Sequence, residues 1–197
     1  LDAMALNMAD KHGWAFAMFS PENWPTERHI SNLIEKRVGK PFSRQGMYTE
    51  RMGAADIDEG MAFINSHFYF IVPHEEILSV DAILEKARVA IFRHGVSGLI
   101  IDPWNEIEHL FEGLTETQYI SKQLTKIRRF ARLHAVHVWI VAHPRNLMKD
   151  EKGDYRPPTP YEISGGANWR NKADNCICIH RPDFLHGDWT DVIVQKI

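Results

Sequence analysis

The chain has 197 residues, a net charge of −3, 44% apolar residues and 25% charged residues. This composition excludes a disordered or collagen-like chain, and a chain of this length buries roughly 70% of its unfolded surface without staples. No apolar run reaches the roughly 18 residues of a membrane span, and no secretory signal is read. A near-neutral chain has no global attraction to nucleic acid, so any such contact is local. Cys176 and Cys178, one residue apart, do not suit a disulfide and favour a reducing compartment. Leu1 already lies in a helical pattern and Ile197 in a strand pattern, so the chain reads as a piece of a longer protein.

Taken in order, residues 1–12 carry Leu1, Met4, Ala5, Met8 and Ala9 on one helical face, and Gly13 ends it. Residues 14–19 (WAFAMF) read as a short buried strand that runs into the turn SPENWP. Ile30, Leu33, Ile34 and Val38 mark a helix over 26–38; residues 39–55 have weak structure. A short helix at 56–66 precedes the strand FYFIV at 68–72. The amphipathic helix 77–93 leads through Gly95 into the apolar strand GLIID at 98–102. A polar loop at 103–116, a helix over 117–134 and a buried strand HVWIVAH at 137–143 follow. The segment 144–163 is polar and proline-rich, and two strands, 173–181 and 190–197, close the chain. Strands alternating with helices predict an α/β fold: a mostly parallel sheet covered on both faces.

In such a sheet the functional loops lie beyond the carboxyl ends of the strands. Three strands end there in polar groups: Glu22 after WAFAMF, Asp102 after GLII, and His143 after HVWIVA. An apolar strand ending in Asp has the form of a Walker B element, which holds Mg2+ beside nucleotide phosphates. A Glu on a neighbouring strand suits activation of water, and a His on a third suits contact with developing phosphoryl charge. Each residue also has a plainer reading, as a helix or turn cap or a satisfied boundary histidine. A metal-dependent hydrolase using Asp102, His143, His74 and Glu22 stays open, as does a binding module without catalysis. No GxxxxGK[ST] phosphate loop occurs, but that loop would precede the first helix, within which the chain begins.

The segment 144–161 carries Arg145, Lys149, Lys152 and Arg156 among Asp150, Glu151 and Asp154. These cations suit a phosphate backbone, or equally a solvated loop. Ser164-Gly165-Gly166-Ala167 opens a short helix whose amides are candidates for holding a phosphate, with Arg170 following. Lys122, Lys126, Arg128, Arg129 and Arg132 read as a solvated helix face.

These residues together resemble the RecA-like motor domain of hexameric replicative DNA helicases, the DnaB class and more closely its phage primase–helicase and Twinkle-like branch. LDAMALNMADKHGWAFAMFSPEN resembles the helix after the Walker A loop and the strand ending in the catalytic glutamate, here Glu22. LIIDPWNE resembles the Walker B strand, placing the Mg2+-associated aspartate at Asp102. TETQYISKQLTKIRRFARLHAVHVWIVAHP is the most specific stretch and resembles the helix and strand leading to the family's phosphate sensor, which the resemblance places at His143. VIVQKI resembles the strand with a Lys-x-Arg pair that reaches the neighbouring subunit's ATP. Lys196 matches the lysine, and the finger arginine would follow Ile197.

The resemblance implies a RecA-like three-layer sandwich over residues 1–197, with antiparallel C-terminal strands, lacking the first strand and the Walker A loop. It implies ATP and Mg2+ as cofactors, a ring that is a hexamer, and single-stranded DNA bound through Asn105, Arg145, Lys149, Lys152, Arg156, Ser164, Gly165 and Arg170. It implies ATP-driven translocation and unwinding by the intact parent, little or no activity in the fragment alone, and no membrane. The implied location is the cytoplasm of a bacterial or phage-infected cell, or the mitochondrial matrix for a Twinkle type. A RecA-like recombination or signalling ATPase is the related alternative.

Overall fold

The computed structural model describes residues 1–43, 50–72, 78–145, 147, 149, 151, 153, 155–183 and 187–197. His74, Lys152, Asp150, Asp154 and the expected helix start at Ile77 lie outside the described residues. The chain forms two compact units: Leu1–Glu108 with Ala131–Val141, and His109–Phe130 with Ala142–Ile197.

The first unit is built on four parallel strands: β1 (Phe16–Phe19), β2 (Phe68–Phe70), β3 (Gly98–Ile101) and β4 (His137–Ile140), in the order β2-β1-β3-β4. The register pairs Phe16 with Gly98 and Phe19 with Ile101, then Gly98 with His137 and Ile101 with Ile140. Parallel pairing needs crossovers, and helices supply them. These are α1 (Asp2–His12), α2 (Thr26–Val38), α3 (Ala54–His67) and α4 (Val80–His94). Phe16, Met18 and Ile100 pack into one cluster with Leu6 and Ala9 of α1, Leu33 and Ile34 of α2, and Ile64 of α3. The alternate residues Ala17, Phe19, Leu99 and Ile101 are equally buried, and α4 lies against β1 with Val80, Ile83, Leu84 and Ala87 buried. Both faces of the central strands are therefore covered, which is why β1 and β3 read as continuous apolar runs.

Side-chain chemistry sets the helix ends. Ser79 accepts a hydrogen bond from the Ala82 amide at the start of α4, and Asp56 accepts one from the Gly53 amide at the start of α3. Gly98 is required by close approach: a Cβ there would meet the Phe16 ring at 2.6 Å and Trp139 at 2.9 Å. The strand at 137–143 departs from expectation. It is shorter, ends at Ile140, and is partly exposed rather than buried. Among the described residues β4 is the edge of the sheet, with β3 as its one strand neighbour.

The second unit contains most of α5 (Glu116–His134), α6 (Ala167–Lys172), and the antiparallel pair β5 (Cys176–His180) and β6 (Asp191–Lys196). Thr115 and Gln118 exchange hydrogen bonds at the start of α5. The β5–β6 ribbon buries Cys178 on one face, while Ile177, Ile179, Val192 and Val194 on the other are about half exposed or more. Both cysteines are free thiols. The polar segment after β4 is not structureless. Pro144 bridges Ile163, Lys149 bridges Tyr155, and the Arg145 amide donates to the Glu162 carbonyl at 2.8 Å. Among the described residues no helix is long and apolar enough to cross a membrane.

Candidate functional site

Glu22 and Asp102 emerge from adjacent strands at the same edge of the first unit's sheet. β1 and β3 are neighbours in register, and the ladder continues past them as the Asp102 amide donates to the Phe19 carbonyl at 2.8 Å. Glu22 sits in a short 3-10 turn, Pro21–Asn23, braced by the Asn23 side-chain amide donating to Ser20 Oγ at 2.7 Å. Its carboxylate is exposed. Asp102 is half-buried, and its carboxyl is pushed above the usual range. Burial is the main cause, and the negative charges of Asp2 and Glu22 add to it; the amino terminus and His29 pull the other way. Ionised Asp102 therefore carries a penalty that a bound cation would relieve.

A group that sequence reading missed stands beside this edge. Asp2 of α1 accepts hydrogen bonds from His29 Nε2 at 3.2 Å and Lys36 Nζ at 2.5 Å, both on α2. Burial opposes its charge, but those two hydrogen bonds prevail and hold Asp2 far below the usual carboxylate range. His29 is only 2% exposed, and its ring meets Phe70 edge-on at 5.6 Å. The signal was present: His29 lies four residues before Leu33, on the buried stripe of α2.

Asn105 is exposed in the 3-10 turn Trp104–Glu106 that follows Asp102. His143 lies in the second unit, exposed, three residues past β4.

Within the second unit several expected cations meet carboxylates. Arg145 donates to Glu116 Oε2 at 2.9 Å and to Ser164 Oγ at 2.7 Å, and Ser164 donates to Glu116. Arg156 donates to Glu162 at 2.6 and 3.2 Å. The Thr159 amide, donating at 2.7 Å, is the main reason the Glu162 carboxyl lies below its usual range, and its hydroxyl and Arg156 assist. Lys149 lies over the Tyr155 ring and Arg170 over the Tyr161 ring. Lys196 donates to the carbonyls of Arg170 and Ala173 at 2.8 and 2.7 Å, capping the end of α6.

The expectation that amides at the start of α6 hold a phosphate meets a different arrangement. The helix has six residues, and the Gly166, Asn168 and Trp169 amides already donate to the carbonyls of Ile163, Gly165 and Gly166. Gly165 has φ +84°, and a Cβ there would meet Ile120 at 2.6 Å, so only glycine fits. A cleft of about 430 Å³ opens beside this turn, lined by Thr117, Arg145, Tyr161, Glu162, Ile163 and Gly165 with its neighbour Gly166.

Sheet order, parallel register and the acidic strand ends define the class: the chain has the RecA-like α/β fold of DnaB-type helicase motor domains. It superimposes on a solved ATPase domain with a TM-score of 0.74 at 19% identity, covering 99% of this chain and 72% of that one. A DnaB-like replicative helicase, solved with attention to its interactions with primase, matches with a TM-score of 0.75 at 18% identity, covering 98% and 50%. In sequence the chain is similar to the Twinkle homolog protein, chloroplastic/mitochondrial, of Arabidopsis thaliana, at 42% identity over 185 residues. That match covers 92% of this chain and 26% of the relative, so the chain spans about a quarter of the relative's length. No family model matches.

Proposed function

We propose that this chain is the core of an ATP-driven DNA motor that moves along single-stranded DNA and unwinds duplex during replication. The observation that carries the reading is the pairing of Glu22 and Asp102 at one edge of a parallel sheet, in a sequence 42% identical to a Twinkle homolog. In this reading the intact protein supplies a phosphate loop before Leu1 and a finger arginine after Ile197, and residues 1–197 are the RecA-like core between them. ATP binds between neighbouring subunits of a hexameric ring in the bacterial or phage-infected cytoplasm, or in the mitochondrial matrix.

The residues fit Mg2+ in the way nucleotide sites use it. Among the described residues no three His, Cys, Asp or Glu side chains cluster as a metal cage, and Mg2+ beside phosphates needs only one or two carboxylates. Bound there, Mg2+ with ATP would neutralise phosphate charge during transfer. Asp102 would hold the metal, and a bound cation would relieve the penalty on its ionised form. Glu22, exposed in the turn that follows the adjacent strand β1, accepts the proton of the attacking water. The Asp2–His29–Lys36 group ties α1, the helix after the phosphate loop, to α2. His143 senses the outer phosphate, and Lys196 moves from its capping role toward the neighbouring subunit's nucleotide. Single-stranded DNA is contacted by Asn105 of the first unit and, separately, by Arg145, Lys149, Lys152, Arg156, Ser164, Gly165 and Arg170 of the second.

The test is made in the longer polypeptide that contains this chain. Glu22→Gln is expected to lower ATP turnover by about 10²–10⁴-fold while nucleotide binding persists. Unchanged turnover overturns the role of Glu22. ATP turnover without strand separation of a forked duplex overturns unwinding and leaves a RecA-like ATPase of another kind.

A further inference from the structure

The cleft beside α6 is lined by an aromatic ring, Tyr161, as well as by charged groups. Tyr161 is 56% exposed, and the Arg170 guanidinium sits over its ring at 5.9 Å. An exposed tyrosine with a cation near one face presents a flat, polarised surface to a second ring. The cleft of about 430 Å³ lies within the size range of small-ligand pockets.

Charge decides which part of a ligand this cleft suits. Arg145 is matched by Glu116 at 2.9 Å, and Arg156 by Glu162 at 2.6 Å. A phosphate entering here would have to displace a carboxylate from its arginine and would meet the second carboxylate within the lining. A neutral planar ring disturbs neither pair. The amides of Gly166 and Asn168, which would otherwise serve an anion, already donate to backbone carbonyls.

We propose that Tyr161 is a stacking seat for one base of single-stranded nucleic acid, with the unpaired purine or pyrimidine ring entering the cleft and the phosphates remaining outside it. This deepens the reading of the loop as a DNA contact and rests on that reading. It adds that the strand is gripped here by a base face as well as by its backbone. Stacking is tolerant of sequence, because every base has such a face. Tyr161→Phe keeps the ring and Tyr161→Leu keeps apolar bulk without it.

The test uses the longer polypeptide that contains this chain and dye-labelled thymidine oligonucleotides carrying either one 2-aminopurine or one abasic residue. Wild type and Tyr161→Phe are expected to quench 2-aminopurine fluorescence on binding. Tyr161→Leu is expected to abolish the quenching and weaken binding of a short oligonucleotide about tenfold. The abasic strand, scanned through successive positions, is expected to bind wild type more weakly than the intact strand at one register and to bind Tyr161→Leu alike at all. Anisotropy that reports binding, with no quenching and no effect of Tyr161→Leu, overturns the seat while leaving the DNA contact in place. Absence of oligonucleotide binding in low salt overturns both. Displacement of the labelled base by millimolar deoxyadenosine monophosphate, with no preference for a strand, assigns the seat to a free nucleotide and overturns the proposal.

Discussion

At the sheet edge of the first unit, Asp102 is half-buried near two other carboxylates, and its carboxyl is pushed up by burial and by their charge. In the second unit, Arg145 and Arg156, expected to face a ligand, each hold a carboxylate of the same unit. The first arrangement leaves a penalty on ionised Asp102 that a cation would relieve. The second has already spent much of its charge on shaping a loop. A charged residue at a candidate site is therefore informative only together with its partners. The same contrast occurs within the first unit: Asp2, with His29 and Lys36 on it, is held low, whereas Asp102 is raised.

The largest effect expected from breaking this comparison lies in the scaffold beneath the acidic edge. Phe16 is fully buried, stacks on Phe68 at 5.6 Å and leans on Gly98. Phe16→Ala is expected to cost about 3–5 kcal/mol in urea unfolding. Ile179→Ala, on the exposed face of the β5–β6 ribbon at 61% exposure, is expected to change stability far less. Equal losses would show that the exposed ribbon face is buried in solution.

Asp2→Asn comes next. It removes the charge that two hydrogen bonds from α2 satisfy, and about 1.5–3 kcal/mol of stability is expected to go with it. In the folded chain Asp2 titrates below its ordinary value of 3.8. Its contribution is thus complete above the ordinary carboxylate range and is lost as pH falls from there toward the lowered value. Thermal melts between neutral pH and strong acid should show a shallower acid limb in Asp2→Asn than in the wild type. Parallel limbs would remove Asp2 as the source of acid sensitivity.

How much of this could be read from sequence follows the range of the interactions. Strands β1 and β3 were legible because burial on both faces demands unbroken apolar runs. The placement of Glu22 and Asp102 at strand ends was legible for the same reason. β4 read as buried because HVWIVAH is apolar, yet sheet order makes it an edge, and order is a long-range property. The pairing of Arg145 with Glu116, 29 positions apart, and of Asp2 with His29, 27 positions apart, left no local pattern. Glu162 and Arg156 are six residues apart, yet the loop had to close before they could meet. The approach of Arg170 to the Tyr161 ring left no charge pattern, because one partner is neutral.

Asp102→Asn should act in the opposite sense to Asp2→Asn. Because the folded chain holds the Asp102 carboxyl above its ordinary value of 3.8, the unfolded chain releases this proton first as pH rises. Stability is therefore lost across that window and stays lower at neutral pH. The asparagine variant escapes this penalty, so its stability at neutral pH is expected to match or slightly exceed that of wild type. In the intact protein its ATP turnover should collapse. A clear loss of stability would mark Asp102 as a structural cap rather than a site held ready for a cation.

The smallest effect belongs to the matched charges of the second unit. Arg145 and Glu116 have side chains 65% and 47% exposed, so water screens their attraction. A double-mutant cycle with Arg145→Ala and Glu116→Ala is expected to give a coupling of only about 0.2–1 kcal/mol, shrinking further as salt rises. The same pair has more leverage on ligand choice than on stability. Glu116→Ala leaves Arg145 without its carboxylate and should strengthen oligonucleotide binding while steepening its salt dependence, because one more cation then faces the phosphates. An unchanged salt slope would show that Arg145 stays away from the strand even when freed, and would leave Tyr161 as the element of this cleft that engages it.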